Sequence, residues 1–492
     1  MPEVITDSDV LSPAPILAAV ERYRGTIVDL DISLTMTGDQ FARAREALRA
    51  ALDRQGLVSG DRVMVALTNG PLFIATLTAI LACDASPLLV HAKTPAAELH
   101  RYAQRFGARF VATDVDGEVD IDRIVTSAVE IGFANRTALR WARMSVKENE
   151  FPGPVLRGVP LHPTSGSTGL PKIALRPGHV ALEEARHYAA TMAIDSDDTI
   201  VAIPPMSHAY GYGMCVMVPL LTGANIVSTR RFSIKLIQRA LTDFSPSILP
   251  TVPAMLDVLS FGGGPDLAKV RWVLTAGAVL PRRSAEQFRA KTGVVACPLY
   301  GTTETGGISV ATAADGRDID GRVGPAMEGV GVEVRPAEGA SEQGGFVGKV
   351  FVRSSSLMAG YLDEFGRISN PASEGWFETG DLARIEDDGT IHLRGRDSEV
   401  VNVSGLKVVP CEVEETITQL HGVVEVKVYA GEHRSGTQIV KAAVAVEDGI
   451  SEADIRAHCE QHLVYYKRPQ VVTLVDALPR TPTGKIIRDQ LP

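Results

Sequence analysis

The first quarter of the chain repeats one hydrophobic pattern three times. Residues 41–55 place apolar side chains at helical spacing between charged ones, and residues 56–67 continue as a turn and a mostly apolar strand. The same order of helix, turn and strand follows in residues 70–90 and again in residues 96–114. Alternation of helices with short apolar strands is typical of a mostly parallel sheet. The pattern therefore predicts an α/β domain at the start of the chain.

A second block of alternation follows a long interruption. Residues 146–169 are rich in Pro and Gly and break the rhythm, which resumes over residues 179–299. Within that block, residues 178–192 favour a helix, and residues 199–205 and 270–278 favour strands. We therefore expect a second α/β sheet subdomain.

The last third of the chain has a different texture. Residues 321–393 hold short strands between glycines and charged turns, which predicts a small β subdomain. A predicted helix, two strands and a further helix then fill residues 411–463. The expected fold class is thus α/β, with a large N-terminal domain at residues 1–394 and a small α+β C-terminal domain at residues 395–492.

Composition and charge narrow the class of protein. A chain of 492 residues is too long for one hydrophobic core, so two or more domains are expected. The 49 basic and 59 acidic side chains give a net charge of -10. Because general nucleic-acid binding depends on a basic surface, this balance argues against it.

The cysteines and the apolar runs indicate in which cellular compartment the protein is expected. Five cysteines lie far apart with no C-x-x-C pair, so we expect neither a zinc site nor a disulfide framework but a reducing cytoplasm. Residues 1–13 are acidic and lack an apolar core, so no signal peptide is expected. The longest strongly apolar run, residues 72–83, is too short for a bilayer and predicts a buried helix.

One segment rich in Gly, Ser and Thr carries the first chemical signal. Residues 163–172 read PTSGSTGLPK, a composition whose backbone N–H groups and hydroxyls can converge on an anion. Gly166 and Gly169 permit positive φ angles, and Lys172 adds a mobile charge. The spacing is not that of a Walker P-loop, and no G-x-G-x-x-G fingerprint is present. Alone, the segment fits a solvated turn at least as well as a phosphate grip.

Three further segments favour the phosphate-binding interpretation over the solvated turn. They are residues 299–307 (LYGTTETGG), residues 376–396 (WFETGDLARIEDDGTIHLRGR) and residues 478–488 (LPRTPTGKIIR). Each of their charged residues could by itself be an exposed structural residue. Together with residues 163–172, and in this order, they resemble the adenylate-forming superfamily: acyl- and aryl-CoA synthetases, adenylation domains of peptide synthetases, and luciferases. The resemblance covers nearly the whole chain.

The resemblance implies a site for ATP and Mg²⁺. It assigns the β- and γ-phosphates to a phosphate loop made of Thr164, Ser165, Gly166, Ser167, Thr168, Gly169 and Lys172. It assigns the adenine and substrate pockets to the turn Ala276-Gly277-Ala278 and stacks Tyr300 on the base. It also includes Gly301 and Thr302 among the nucleotide-binding residues.

The same resemblance names the residues around the reacting phosphate. Thr303 would contact the α-phosphate, and Glu304 would hold Mg²⁺, which prefers hard oxygen ligands. Asp381 would accept hydrogen bonds from the ribose hydroxyls, with Arg396 beside it. Lys485 would reach the α-phosphate and the attacking carboxylate.

The implied reaction has two steps. A carboxylate attacks the α-phosphorus of ATP and expels pyrophosphate, and a thiol then attacks the acyl-adenylate and releases AMP. Between the steps the C-terminal domain of this superfamily swings, so we expect that domain to be mobile. Gly405 would border the thiol tunnel. Ser398 is the expected hinge, although the family usually has Asp or Lys there.

Residues 204–213, PPMSHAYGYG, resemble the acid-pocket segment of the family, with His208 beside the substrate carboxylate. The implied pocket contains His208, Ala209, Tyr210, Gly213, Ala276, Gly277 and Gly306. No acidic residue follows to pair with an ammonium group, so an α-amino acid is disfavoured. The tyrosines and glycines suit an aryl or medium-sized acyl acid, and benzoate-like, cinnamate-like and fatty acids all remain open.

The leading hypothesis is an ATP-dependent, AMP-forming acid–thiol ligase of the acyl- or aryl-CoA synthetase type. Residues 465–470, YYKRPQ, resemble the C-terminal domains of acyl-CoA synthetases and favour CoA as the thiol. The alternative is a stand-alone enzyme that loads the acid onto a carrier protein, with no carrier domain expected in this chain. A luciferase-like oxidoreductase and a non-catalytic nucleotide-binding protein are the competing classes.

Overall fold

The computed structural model of the chain describes most of the 492 residues. The described ranges are residues 11–117, 120–145, 155–164, 172–261, 265–312, 321–336, 347–363, 365–403, 406–432, 438–447, 449–463, 465–481 and 486–492.

The helices of the described ranges begin and end as follows: α1 (Ala14–Arg22), α2 (Gly38–Arg54), α3 (Pro71–Ala82), α4 (Ala96–Phe106), α5 (Gly178–Met192), α6 (Ala209–Tyr212), α7 (Val218–Thr222), α8 (Ile234–Phe244), α9 (Pro253–Leu259), α10 (Arg282–Thr292), α11 (Pro410–Thr418) and α12 (Glu452–His462). A π-helical turn (Gly213–Met217) joins α6 to α7.

The strands are β1 (Thr26–Asp29), β2 (Leu34–Thr37), β3 (Arg62–Ala66), β4 (Ser86–Leu89), β5 (Ala108–Asp114), β6 (Val125–Phe133), β7 (Thr137–Met144), β8 (Leu161–Thr164), β9 (Lys172–Leu175), β10 (Thr199–Ala202), β11 (Asn225–Ser228), β12 (Ile248–Thr251), β13 (Trp272–Thr275), β14 (Cys297–Thr302), β15 (Gly306–Val310), β16 (Arg322–Gly324), β17 (Gly331–Pro336), β18 (Gly348–Arg353), β19 (Gly360–Leu362), β20 (Ile368–Ser369), β21 (Phe377–Ile385), β22 (Ile391–Arg396), β23 (Val401–Val403), β24 (Leu406–Val408), β25 (Val423–Glu432), β26 (Gln438–Val446) and β27 (Val471–Val475).

A nine-stranded sheet contains the first block of helix–strand alternation. Its order is β20-β19-β9-β8-β4-β3-β5-β7-β6, and β3 pairs in parallel with β4 and β5. Helix α3 has every residue from Pro71 to Leu81 buried, which confirms the buried helix expected from that apolar run. Strand β9 pairs antiparallel with both β8 and β19, so Tyr361 of β19 lies opposite Ala174 of β9. The short strand β19 thus returns to the end of the phosphate loop.

An eight-stranded sheet contains the second block. Its order is β15-β14-β13-β12-β10-β11-β1-β2, and the strands from β11 to β14 run in parallel. Parallel strands end at the same edge, where ligands bind in open α/β sheets. Residues 276–278 follow β13 at this edge, and β14 ends there before it folds back on β15.

Two smaller units follow the α/β sheets. A five-stranded antiparallel sheet in the order β16-β22-β21-β18-β17 is the predicted β subdomain. Near the C-terminus, α11 and α12 pack with the sheet β25-β26-β27 around a separate apolar core that includes Val413, Val428 and Ile455. The architecture matches the expected fold class, while the domain boundary at residues 394 and 395 stays a prediction.

Two further expectations can be compared with the described residues. None of the five cysteines, which all lie in the described ranges, takes part in a disulfide. Within the described ranges, no helix combines the length and the apolar character that crossing a membrane requires.

Candidate functional site

The two ends of the predicted phosphate loop face each other across a strand pair. Thr164 ends β8, Lys172 begins β9, and the Thr164 hydroxyl donates to the Lys172 carbonyl at 3.3 Å. Thr164 is buried, whereas the Lys172 side chain is exposed and places its ammonium 5.1 Å from the centre of the Tyr361 ring. Ser165, Gly166, Ser167, Thr168 and Gly169 lie outside the described residues, so their phosphate contacts stay a prediction.

A tight turn between β14 and β15 carries Glu304. The Thr302 hydroxyl accepts hydrogen bonds from the amides of Glu304 and Thr305, each at 3.2 Å. The Glu304 carbonyl accepts the Met358 amide at 2.7 Å, and the Ser356 hydroxyl donates to the Thr305 carbonyl at 2.7 Å. The turn is therefore fixed both by its own hydroxyl and by the segment that leads into β19.

A buried ion pair also contacts the Glu304 turn. Arg176 lies next to the end of β9. Its Nη1 donates a hydrogen bond to the Thr303 carbonyl, and its Nη2 donates one to Glu184 Oε2 of α5, both at 2.7 Å. A Cβ atom added to Gly306 or to Gly213 would lie within 2.6 Å of the Glu184 carboxyl group. The pair thus touches the phosphate-loop strand, the Glu304 turn and the predicted acid pocket at once.

The Glu304 carboxylate is suited to a hard cation that also binds phosphate. Its Oε1 atom accepts the Tyr361 hydroxyl at 2.6 Å, and no donor from the described part of the chain bonds to Oε2. Across the described ranges, no group of three or more His, Cys, Asp or Glu could hold a metal ion by itself. Mg²⁺ is commonly held by one or two carboxylates together with substrate phosphates, so a single carboxylate fits this ion.

The structure brings together the residues assigned to ribose and adenine. Strands β21 and β22 place Asp381 opposite Arg396, whose Nε lies 3.0 Å from Asp381 Oδ1. The Tyr300 hydroxyl donates to Asp381 Oδ2 at 2.7 Å. Burial raises the pKa of Asp381, and the Arg396 charge opposes that rise. Stacking of Tyr300 on adenine and binding of ribose by Asp381 stay predictions.

The predicted acid-pocket residues lie near the carboxyl edge of the eight-stranded sheet. His208 precedes α6 with an exposed side chain, and its ring lies 5.7 Å from that of His91, a residue that the sequence did not single out. The Tyr210 hydroxyl is buried, and burial raises its pKa. Ala276 is buried, and Gly277 is exposed with a φ of 88°. Binding of the acid by these residues stays a prediction.

A second histidine missed in the sequence lies between the two large sheets. His162 of β8 is fully buried, and its ring meets the Tyr212 ring edge-on at 4.7 Å between centroids. Burial lowers the pKa of His162 well below its usual value, and the nearby Arg176 charge lowers it further. His162 is therefore neutral at physiological pH. Its single position in a strand beside Pro163 carried no pattern from which this contact could be inferred.

The predicted hinge lies in a single 3-10 turn (Asp397–Glu399) directly after β22. Lys349 of β18 binds Asp397 at 2.7 Å, and Lys427 of β25 binds Glu399 at 3.0 Å. Arg488 also pairs with Glu399. The two carboxylates that flank Ser398 are thus held from different elements, while Gly405 and Lys485 lie outside the described residues.

The chain belongs to the AMP-binding enzyme family. The family model matches residues 18–362, and the model of the AMP-binding enzyme C-terminal domain matches residues 412–485. This membership confirms the resemblance to the adenylate-forming superfamily.

Individual proteins and a solved structure are also similar to this chain. The chain is 28% identical to a methyl-dioxo-octahydroindenyl-propanoyl:CoA ligase of Rhodococcus jostii, over 67% of this chain and 63% of that protein. It is 25% identical to 4-coumarate-CoA ligase 1 of Narcissus pseudonarcissus, over 95% of this chain and 90% of that protein. The solved structure of the Bacillus subtilis O-succinylbenzoate coenzyme A synthetase, in complex with ATP and a magnesium ion, matches at 21% identity with a TM-score of 0.77, covering 98% of this chain and 99% of that one.

These comparisons bear on the competing hypotheses. The solved structure shares the fold, which confirms the fold class. The two relatives are CoA ligases by name, which bears out the AMP-forming acid–thiol ligase and favours CoA over a carrier protein as the acceptor.

Proposed function

We propose that this protein is an ATP-dependent acid–CoA ligase that activates an aryl or medium-sized acyl acid as its adenylate. The observation that carries the proposal is the contact of Arg176 with the Thr303 carbonyl, because it fixes the end of the phosphate loop beside the Glu304 turn. The pyrophosphate leaving group and the α-phosphate would then bind to neighbouring, rigid elements, which is the arrangement that positions an in-line displacement.

The groups assigned to the nucleotide lie on β14, β21, β22 and the Glu304 turn. Asp381, oriented by Tyr300 and Arg396, accepts the ribose hydroxyls, and the Thr303 hydroxyl contacts the α-phosphate. Glu304, together with the phosphates, would hold a magnesium ion, which would supply positive charge to the phosphate oxygens. Lys172 adds a further cation at the end of the phosphate loop.

The acid binds between His208 and the residues after β13. The chain that follows Gly213, residues 214–221, is apolar and contains no carboxylate to pair with an ammonium group. Burying such a group unpaired would be costly, so the acid carries no α-amino group. We assign the wall of this pocket to the half-buried Tyr210 and the exposed Gly277, which would accept an aromatic ring or an acyl chain.

In the first step the acid carboxylate attacks the α-phosphorus of ATP, the bond to the bridging oxygen of pyrophosphate breaks, and Lys485 stabilises the developing negative charge. In the second step the CoA thiol attacks the acyl carbonyl, loses its proton and displaces AMP. The C-terminal domain turns about Ser398 between the steps, which withdraws Lys485 and brings Gly405 to the thiol path.

The first test is ATP–pyrophosphate exchange with a panel of aryl, cinnamyl, short-chain and long-chain acids, with α-amino acids as the negative set. Acids that support exchange are then assayed for AMP release with CoA or with a phosphopantetheinyl carrier protein. We expect exchange with one class of acid and AMP release with CoA. Release with the carrier alone would contradict the choice of thiol, and exchange with α-amino acids would contradict the pocket assignment.

A matched pair of lysine variants tests the adenylation residue. Lys485→Ala is expected to lower pyrophosphate exchange by at least about 100-fold, because a charge that stabilises the transition state is lost. Lys441→Ala removes a lysine of β26 in the same part of the chain and should leave exchange unchanged. Full exchange in Lys485→Ala would refute the assigned role of Lys485.

A further inference from the structure

Tyr361 lies between the two charged groups of the phosphate site. Its hydroxyl donates to Glu304 Oε1 at 2.6 Å, and its ring face lies 5.1 Å from the Lys172 ammonium. The side chain is half-buried, in a three-residue strand that pairs with β9. No sequence motif had drawn attention to it, and neither the phosphate loop nor the Glu304 turn contains it.

We propose that Tyr361 is a positioning residue, which orients the Glu304 carboxylate toward Mg²⁺ and holds Lys172 beside the phosphates. The inference rests on the proposed function, because it takes Glu304 as the ligand of the magnesium ion that accompanies ATP. It adds a residue outside the assigned site and a separate role for each part of its side chain.

The hydrogen bond selects one orientation of the carboxylate. A half-exposed glutamate on a turn can rotate about its side-chain bonds, and a charge-assisted hydrogen bond to one oxygen restricts that rotation. With one lone pair of Oε1 engaged by the Tyr361 hydroxyl, both lone pairs of Oε2 remain to meet a cation.

The ring has a different task from the hydroxyl. An ammonium within about 6 Å of an aromatic centroid is attracted to the ring face. Lys172 is exposed and would otherwise sample many rotamers, so the ring limits where its charge lies. Because β19 pairs with β9, the backbone fixes the distance between the ring and the base of the Lys172 side chain.

Two substitutions separate the two tasks. Tyr361→Phe removes the hydroxyl and keeps the ring under Lys172, whereas Tyr361→Leu removes both. Tyr102→Phe is the matched control, because Tyr102 is a half-buried tyrosine of α4 that stacks on Phe106. Calorimetric titration with ATP over a series of Mg²⁺ concentrations, and with ATP in excess chelator, measures metal-dependent and metal-free binding in each variant.

In Tyr361→Phe we expect the Mg²⁺ concentration for half-maximal enhancement of ATP binding to rise roughly tenfold, the loss typical of one hydrogen bond to a charged group. The Kd for metal-free ATP should stay within about twofold of wild type, because the ring still holds Lys172. Tyr361→Leu should show the same metal effect and, in addition, a metal-free Kd raised about threefold. The control should match wild type in both measurements.

Three outcomes would overturn the inference. They are an unchanged Mg²⁺ requirement in Tyr361→Phe, an equal loss of ATP binding with and without Mg²⁺ in that variant, and a failure of wild type to bind MgATP. If wild type binds MgATP but exchanges pyrophosphate with no acid, the proposed ligase function fails, and the Mg²⁺ titrations still decide the role of Tyr361.

Discussion

Arg176 and Glu184 form an ion pair at 2.7 Å with 0% and 1% of their side chains exposed. Glu184 also accepts hydrogen bonds from the Gly307 amide and the Tyr188 hydroxyl. Burial raises the pKa of Glu184, and the Arg176 charge opposes that rise. The pair joins α5 to both large sheets, so its integrity bears on stability and on the site together.

Loss of one partner of this pair should strongly destabilise the protein. Glu184→Ala leaves the Arg176 guanidinium buried without its counter-charge, which typically costs about 3–5 kcal/mol. The free energy of unfolding, measured by urea titration, should fall by that amount. Glu183→Ala is the control, because Glu183 pairs with Arg186 at the surface and such pairs contribute about 0–1 kcal/mol. Equal effects of the two substitutions would contradict the structural role of the buried pair.

Two glycines with the same backbone angle test how tightly Glu184 is packed. Gly306 and Gly293 both have a φ of 73°, but an added Cβ meets the Glu184 Cδ at 2.6 Å at Gly306 and nothing within 4 Å at Gly293. Gly293→Ala should cost about 1–2 kcal/mol from the left-handed conformation alone. Gly306→Ala should cost roughly 1–3 kcal/mol more, because the clash forces a shift.

Urea denaturation of both glycine variants gives the difference directly. Pyrophosphate exchange by Gly306→Ala should also fall, because Gly306 follows the Glu304 turn. A Gly306→Ala variant as stable and active as Gly293→Ala would show that Glu184 does not pack against the turn.

The buried His162 should make stability fall as the pH drops. Its folded pKa is depressed, so below about pH 6.5 the unfolded chain binds a proton that the folded protein excludes. The resulting stability is present above pH 6.5 and is lost by up to about 1.4 kcal/mol per pH unit below it. His162→Met should therefore flatten the pH dependence of the urea midpoint between pH 5 and pH 7. An unchanged slope in His162→Met would contradict the assigned cause.

The ion pairs around Ser398 should restrain the segment that is the predicted hinge. Lys349 binds Asp397 at 2.7 Å, and the hydrogen bonds to Asp397 and Glu378 raise the pKa of Lys349 to about 12. Lys349→Ala should speed tryptic cleavage after Arg394 and Arg396 by roughly twofold to fivefold, as expected for the loss of an exposed pair. Lys441→Ala provides the control for a lost lysine. Cleavage at the wild-type rate would mean that the pair does not restrain this segment.

Much of the fold could be predicted because its elements are strongly periodic. The helices α2 and α5 and the strands β25 and β26 lie where the hydrophobic pattern placed them. The hairpin of β6 and β7 was not anticipated, because its outer strand has mixed exposed and partly exposed positions and no clean alternation. It lies at the edge of the nine-stranded sheet, where β7 pairs with β5 on one side and with β6 on the other.

Some residues of the candidate site could likewise be predicted from the sequence, and others could not. Asp381 and Arg396 were expected side by side, and the β-hairpin register places them there. Tyr361 and Arg176 were missed, because each bonds to a residue distant in sequence. Glu184 was missed as well, because its partner Arg176 lies outside its own helix. A single Tyr, Arg or Glu carries no spacing signal, so such partners emerge only when strands and helices are assembled.

The Glu304 turn belongs to the eight-stranded sheet, is bonded to the nine-stranded sheet through Arg176, and lies beside the Tyr300–Asp381 contact with the five-stranded sheet. Three sheets therefore meet at this junction around the Glu304 turn, and none of them can unfold without breaking contacts there. Heating should consequently disrupt them in a single cooperative transition. A ligand bound at the junction would raise the melting temperature of all three sheets together, so thermal shift reports on occupancy of this site by any nucleotide or inhibitor.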